Sequence, residues 1–247
     1  MEDIDAIAAL QDPVRRRLYE YVVAQGREVG RNEAAEAAGV ARTLAAHHLD
    51  KLTEAGLLES GSRRLTGRSG PGAGRPAKVY TRAAGERSVS LPARDYRTAA
   101  ELLAEAAEQA GLDAGLCVAA RRRGEVLRGS AAPCGGLDEA LEILTARGYE
   151  PYLEEASGGG GHDDEGPRGS TGPAGASGPA PGAVVPVVRM RNCPFHAVAE
   201  RFPPLVCGMN LALIEGLLGT DGSVRARMDA RPGECCVVVG TSKNNER

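Results

Sequence analysis

Four of the six cysteines lie near the C-terminal end, as Cys193, Cys207 and the adjacent pair Cys235 and Cys236. Cys193 follows an apolar strand pattern, Val184 to Met190, and so falls in a loop. Pro203-Pro204 then opens a helical pattern that packs Leu205, Val206, Met209, Leu213, Leu217 and Leu218. Cys207 is expected in the first turn of that helix, where the dipole stabilises a thiolate, the form a metal ligand needs. Two last strands, 223–229 and 234–239, flank Ala230-Arg231-Pro232-Gly233 as a hairpin, and the second carries Cys235-Cys236. Neighbouring strand residues point to opposite faces, so only one of that pair is expected to face Cys193 and Cys207. Three thiols from a loop, a helix start and a strand make a site for a soft metal or cluster: iron-sulfur, zinc or copper(I). No CxxC doublet occurs, so zinc-ribbon and finger spacings are absent.

A second chemistry lies at the other end of the chain. The net charge of −3 hides an asymmetry, with 14 Lys/Arg against 12 Asp/Glu in residues 1–90 and 16 against 21 in the remainder. Residues 61–82 hold Arg63, Arg64, Arg68, Arg75, Lys78 and Arg82 without one acid. Such a stretch is either an electrostatic footprint for phosphates or a solvated loop.

The elements in front of it favour phosphates. Asp12-Pro13 is an N-cap acid followed by a helix-starting proline, and Val14, Leu18, Tyr21 and Val22 recur at helical spacing until Gly26. A second helix is expected from about Asn32 to Ala38, stopping at Gly39. A third starts around Ala41, with Leu44, Ala45, His48, Leu49 and Leu52 on its inner face. Small Ala34, Ala35 and Ala38 let two helices approach closely, as a helix-turn-helix requires. Leu57-Leu58-Glu59, a Gly/Arg loop and Lys78-Val79-Tyr80-Thr81 then read as a two-stranded wing. The third helix leaves Arg42, Thr43, Ala46, His47 and Lys51 outward, where Arg42 and His47 are suited to base edges, Thr43 to a base or phosphate and Lys51 to a phosphate. His48 is expected as a partly buried, hydrogen-bonded structural histidine. Arg63, Arg64, Arg68, Arg75 and Lys78 would lie along DNA, with Arg75 held extended by Pro76 over the backbone or a minor groove.

Residues 30–82, with ARTLAAHHLDKLTEAGLLES and GRPAKVY, resemble the winged helix-turn-helix regulators of the ArsR/DeoR-like kind. Residues 183–239, chiefly NCPFHAVAERFPPLVCGMN and ECCVVV, are similar to the sensor end of the SufR-type iron-sulfur repressors. That resemblance implies an oxygen- or redox-labile [4Fe-4S] cluster controlling operator binding, with Cys193, Cys207 and one of Cys235 or Cys236 as ligands. Where some members of that family carry a further cysteine this chain has Asp221, which leaves the fourth ligand to Asp221, His196 or an exogenous group. His196, three residues after Cys193, also suits a helix cap or the surface. Zinc on the same ligands is the alternative cofactor. Cys117 and Cys134 lie outside the pattern and are expected to be ordinary small residues.

The reading is α+β: a winged helix-turn-helix at 1–90, a linker and dimerisation helix at 91–111, and a small α+β sensor domain at 112–247. The stripe Tyr96, Ala99, Leu103, Ala106 and Ala110 is the expected dimer seam, or else an intradomain core face. One helix-turn-helix covers a half-site, so a homodimer on an inverted repeat of double-stranded DNA is expected, with recognition helices about 34 Å apart. Short elements are expected at Leu116 to Ala119, a turn and strand at 124–129, a helix at 137–146 and a strand at 149–153. Residues 157–182, rich in Gly, Pro and Ser, cannot bury a core and read as a flexible insertion, with His162, Asp163 and Asp164 in solvent. The absence of Trp and the presence of only two Phe exclude stacking on single-stranded nucleic acid. No apolar run spans a membrane and the N-terminus is acidic, so a cytoplasmic protein with reduced thiols is expected. No phosphate loop, HExxH or nucleophile elbow is present and no enzyme is expected. Thiol oxidoreduction at Cys235-Cys236 is a remote alternative, since neighbouring cysteines form strained disulfides.

Overall fold

The computed structural model describes residues 2–63, 76–157 and 184–242. These fall into two compact units that divide between Arg94 and Asp95. The expectations for Arg64, Arg68 and Arg75, and for the insertion with its His162, Asp163 and Asp164, lie outside the described residues.

In the N-terminal unit α1 (Glu2–Ala9), α2 (Pro13–Gln25), α3 (Arg31–Ala38) and α4 (Arg42–Glu54) accompany a sheet of β1 (Val29–Gly30), β2 (Leu58–Arg63) and β3 (Ala77–Arg82). Asp12 caps α2, its Oδ1 accepting the amides of Val14 at 2.8 Å and Arg15 at 2.9 Å. Gly39 takes φ 65°, so α3 ends on a left-handed residue and α4 leaves at an angle. The antiparallel sheet has the order β1-β3-β2, with β2 and β3 paired from Leu58↔Arg82 to Arg63↔Ala77. Leu18, Val22, Ala34, Ala45, Leu49, Leu52, Leu58 and Tyr80 are buried together. The short β1 and helix α1 had no counterpart in the sequence reading.

The C-terminal unit holds α5 (Tyr96–Gln109), α6 (Asp113–Arg128), α7 (Leu137–Thr145), β4 (Pro151–Ser157), β5 (Val184–Met190), α8 (His196–Ala199), α9 (Pro203–Leu218), β6 (Val224–Met228) and β7 (Val237–Thr241). Its sheet is antiparallel in the order β4-β5-β7-β6. Val188, Met190, Val237 and Val239 join Ala140 and Leu144 of α7 and Ile214 and Leu218 of α9 in one core. Helix α6 packs along α9, while Ala104 and Ala107 of α5 close on Phe202, Leu205 and Val206. Most of 91–111 therefore folds into this unit instead of standing apart as a linker. The stripe Tyr96, Ala99, Leu103, Ala106 and Ala110 lies on the other side of α5 and is exposed, Leu103 by 72%.

Three expectations need correction. Residues 116–119 and 124–128 are not short elements or a strand but parts of α6, which stops before Gly129. Gly124, which reads as a turn, is instead a contact: a Cβ there would stand 2.3 Å from the Leu213 carbonyl, and one on Gly216 would stand 2.2 Å from the Arg121 carbonyl. The strand expected at 149–153 begins at Pro151, leaving Tyr149 before it as a core residue. Strand β7 begins at Val237, so Cys235 and Cys236 precede it and strand alternation does not separate them.

The glycine contact gives a paired prediction. Gly216→Ala should destabilise the C-terminal unit by about 1–3 kcal/mol, because backbone on α6 must retreat. Gly208→Ala meets only the Cys117 Sγ at 3.7 Å and should be neutral or stabilising by about 0.5–1 kcal/mol from helix propensity. Urea melts of the two variants check the contrast.

Candidate metal centre and nucleic-acid interface

Cys193 leaves the end of β5 in a loop that Asn192 clamps: its Oδ1 accepts the Glu150 amide at 2.6 Å and its Nδ2 donates to the Gly148 carbonyl at 2.9 Å. The Cys235 amide donates to the Met190 carbonyl at 3.0 Å, tying the segment before β7 to the end of β5. The Cys236 carbonyl accepts the Asp229 amide at 2.8 Å across the β6–β7 hairpin. Cys207 is the fifth residue of α9 and so stands just past the first turn, where the helix dipole helps its thiolate less than at the first-turn position expected.

These elements bring all four sulfurs into one chain of contacts. Cys235 is in hydrogen-bonding reach of Cys193 and Cys236, and Cys236 also of Cys207. Cys235 is 2% exposed while the others are half-buried. Thiol hydrogens from Cys193 and Cys236 hold Cys235 well below its ordinary pKa against the cost of burial, with the Val237 amide and Asn210 assisting. Cys193 and Cys236, which donate to it and are themselves buried, are pushed up. The sulfurs meet pairwise: among the described residues no three His, Cys, Asp or Glu side chains are already gathered around a metal position. Four soft donors, one buried and three half-buried, with a buried amide donor beside them, nevertheless have the chemistry that a soft metal or iron-sulfur group requires.

The proposed fourth ligands fare differently. Asp221 is exposed past the far end of α9, about 16 Å along the helix axis from Cys207. It also precedes Val224, which pairs with Thr241, whereas Cys236 adjoins Val237 at the opposite end of that ladder. Asp221 therefore cannot complete the sulfur group. The His196 side chain is 67% exposed and pairs with Glu200 at 3.2 Å, as a surface histidine does. Cys117 lies on α6 beside Gly208. Cys134 is buried, its Sγ 3.2 Å from the Gly136 carbonyl, and burial pushes its thiol up.

In the N-terminal unit Arg42, Thr43, His47 and Lys51 are exposed on α4, and Lys51 pairs with Glu54 at 2.6 Å. Leu44 was expected inward but is 41% exposed. Ala45, Leu49 and Leu52 fill the inner stripe, which leaves Leu44 at its margin. His48 is half-buried, and its Nδ1 has no hydrogen-bond partner among the described residues. Arg63 pairs with Glu28 at 3.0 Å. Lys78 donates to Asp50 at 2.7 Å, together with the Tyr80 hydroxyl at 2.6 Å and Arg31 at 3.0 Å. Asp50, which the sequence reading passed over, thus fastens strand β3 and helix α3 to the recognition helix.

Residues 10–61 match the family described as "Helix-turn-helix domain". Residues 10–61 thus form a helix-turn-helix, an arrangement that points to DNA binding and transcriptional regulation. No curated protein and no solved structure matches the chain. Among the described residues no helix is long and apolar enough to cross a membrane.

Burial opposes the charge on Asp50, but hydrogen bonds from Lys78 and Tyr80 and the Arg31 charge outweigh it and hold the carboxyl below its ordinary value. A depressed folded pKa stabilises above the unfolded pKa and is lost as pH falls through the folded one. Asp50→Asn should therefore lower the melting point of the N-terminal unit at pH 7, and the gap from wild type should close on acidification below the ordinary aspartate value of 3.8. Thermal melts of both proteins across pH check this.

Proposed function

We propose that the chain is a winged helix-turn-helix repressor whose operator binding is controlled by a redox- or oxygen-labile [4Fe-4S] cluster held by Cys193, Cys207, Cys235 and Cys236. The observation that carries the reading is the gathering of these four thiols from a loop, a helix and the segment before β7. When bound, such a cluster supplies a centre whose charge and integrity change with oxidant. The chain's own part is to present the sulfurs, to hold Cys235 by the Asn210 amide and to shield it from water. The same burial, 2% exposure at Cys235, keeps a substrate disulfide away and disfavours thiol oxidoreduction.

At the DNA, Arg42 and His47 read base edges, with Leu44 beside them, while Thr43 and Lys51 meet base or phosphate. Asp50 restrains Lys78, which therefore acts on phosphates from a fixed position on the wing. A homodimer joined through the exposed stripe of α5 presents two recognition helices to an inverted repeat.

Binding of the anaerobically prepared full-length chain to an inverted-repeat duplex, chosen by selection from random sequence, tests the reading. Cys193→Ser and Cys207→Ser should abolish the response of that binding to air while leaving its salt dependence intact, and Cys117→Ser should leave both intact. Arg42→Ala or His47→Ala should shift sequence preference by about 1–3 kcal/mol per lost base contact. An undiminished response to air in Cys193→Ser refutes control through these sulfurs.

A further inference from the structure

Asn210 has no exposed surface, and an amide buried that deeply must account for its hydrogen bonds. It stands on α9 three residues after Cys207, one turn along the same helix. Its Oδ1 accepts the hydroxyl of Tyr149 at 2.5 Å. Its Nδ2 lies 3.3 Å from the Sγ of Cys235 and 4.0 Å from that of Cys193. Tyr149 is itself 3% exposed. Burial pushes its phenol up. A phenol has one proton to give, and giving it to Oδ1 decides which way the amide faces: the NH2 group, which has only donors, is turned to the sulfurs.

We propose that Asn210, locked by Tyr149, is a positioning residue of the sulfur site, whose amide hydrogens fix the Cys193 and Cys235 sulfurs and weaken them as electron donors. This rests on the reading that those sulfurs hold a soft metal group. Hydrogen bonds to a thiolate withdraw density from the sulfur, and they strengthen as the centre gains negative charge. They therefore favour the reduced form and raise the potential of a bound cluster. Tyr149 acts at one remove, by preventing the amide from turning its oxygen toward the sulfurs, where it would repel them. Asn210 on α9 and Tyr149 just before β4 are both buried in the core, so the donor is in place before any metal arrives.

The experiment uses the full-length chain as wild type, Tyr149→Phe and the double variant Tyr149→Phe/Asn210→Leu. Replacing both partners with apolar groups of similar shape leaves no buried polar group unpaired, so the double variant is expected to fold. Circular dichroism checks that. Tyr149→Phe alone, which deletes one hydroxyl, serves as the second folded variant. With cobalt(II) as probe, the sulfur-to-cobalt charge-transfer band should move to longer wavelength in the double variant and less far in Tyr149→Phe, because an unbonded thiolate gives up its electron more readily. In protein loaded with cluster, the double variant should be harder to reduce, by about tenfold in the reduction equilibrium for loss of a hydrogen bond to a charged sulfur. A purely structural role would change stability and leave band and potential unmoved, and that result overturns the proposal. Wild-type protein that takes up zinc but neither iron nor sulfide would refute the cluster reading alone, since the cobalt band still reports on Asn210.

Discussion

Helix α9 is buried along most of its length, and the C-terminal unit depends on that burial. It lies against β6 and β7 on one side and α6 on another, with α5, α7 and α8 at its flanks. A helix so enclosed needs one neighbour that can come to backbone distance, and Gly124 facing Gly216 provides it. Close packing fixes the rotation of α9 about its axis, since any turn would drive a larger side chain into α6. That rotation points Cys207 and Asn210 toward the loop of Cys193 and the segment of Cys235 and Cys236. The sulfur site is thus a consequence of how a helix with little room to move was seated.

The surroundings of the site show the same economy of charge. Arg189, 2% exposed on β5, is held by Glu154 and Asp229, each at 2.7 Å, with Glu234 at 3.9 Å. These carboxylates come from β4 and from the turn leading to the cysteine pair, so one buried cation fastens that turn to the sheet. A buried cation left unpaired would be costly, which makes the set cooperative: removing one acid weakens the hold on all. In the N-terminal unit Asp50 plays the corresponding part with reversed sign, one carboxylate gathering Arg31, Lys78 and Tyr80.

Much of this was legible in the sequence where local chemistry and periodicity agree. Asp12-Pro13, Gly26 and Gly39 mark helix ends by capping and left-handed backbone, and α2, α3 and α4 stand where those signals put them. Pro203-Pro204 opens α9 for the same reason. Gly124 misled because a glycine serving a helix contact looks in sequence like one serving a turn; only the partner, 92 positions away at Gly216, tells them apart. The pair Cys235-Cys236 misled because apolar residues continue into β7 without marking where pairing begins. Asn210 carried no signal, since its meaning lies in Tyr149 and Cys235, which are distant in the chain. Leu44 broke the apolar rule because Ala45, Leu49 and Leu52 already fill the inner stripe and leave it at the margin.

The central claim is that four thiolates assembled by α9, the Cys193 loop and the Cys235-Cys236 segment hold an iron-sulfur group. Full-length protein purified without oxygen tests it through its visible spectrum and its iron, sulfide and zinc content. The account predicts a brown protein with iron and sulfide in equal amounts, one [4Fe-4S] cluster per chain, bleaching in air. A colourless protein with one zinc per chain and neither iron nor sulfide would contradict it.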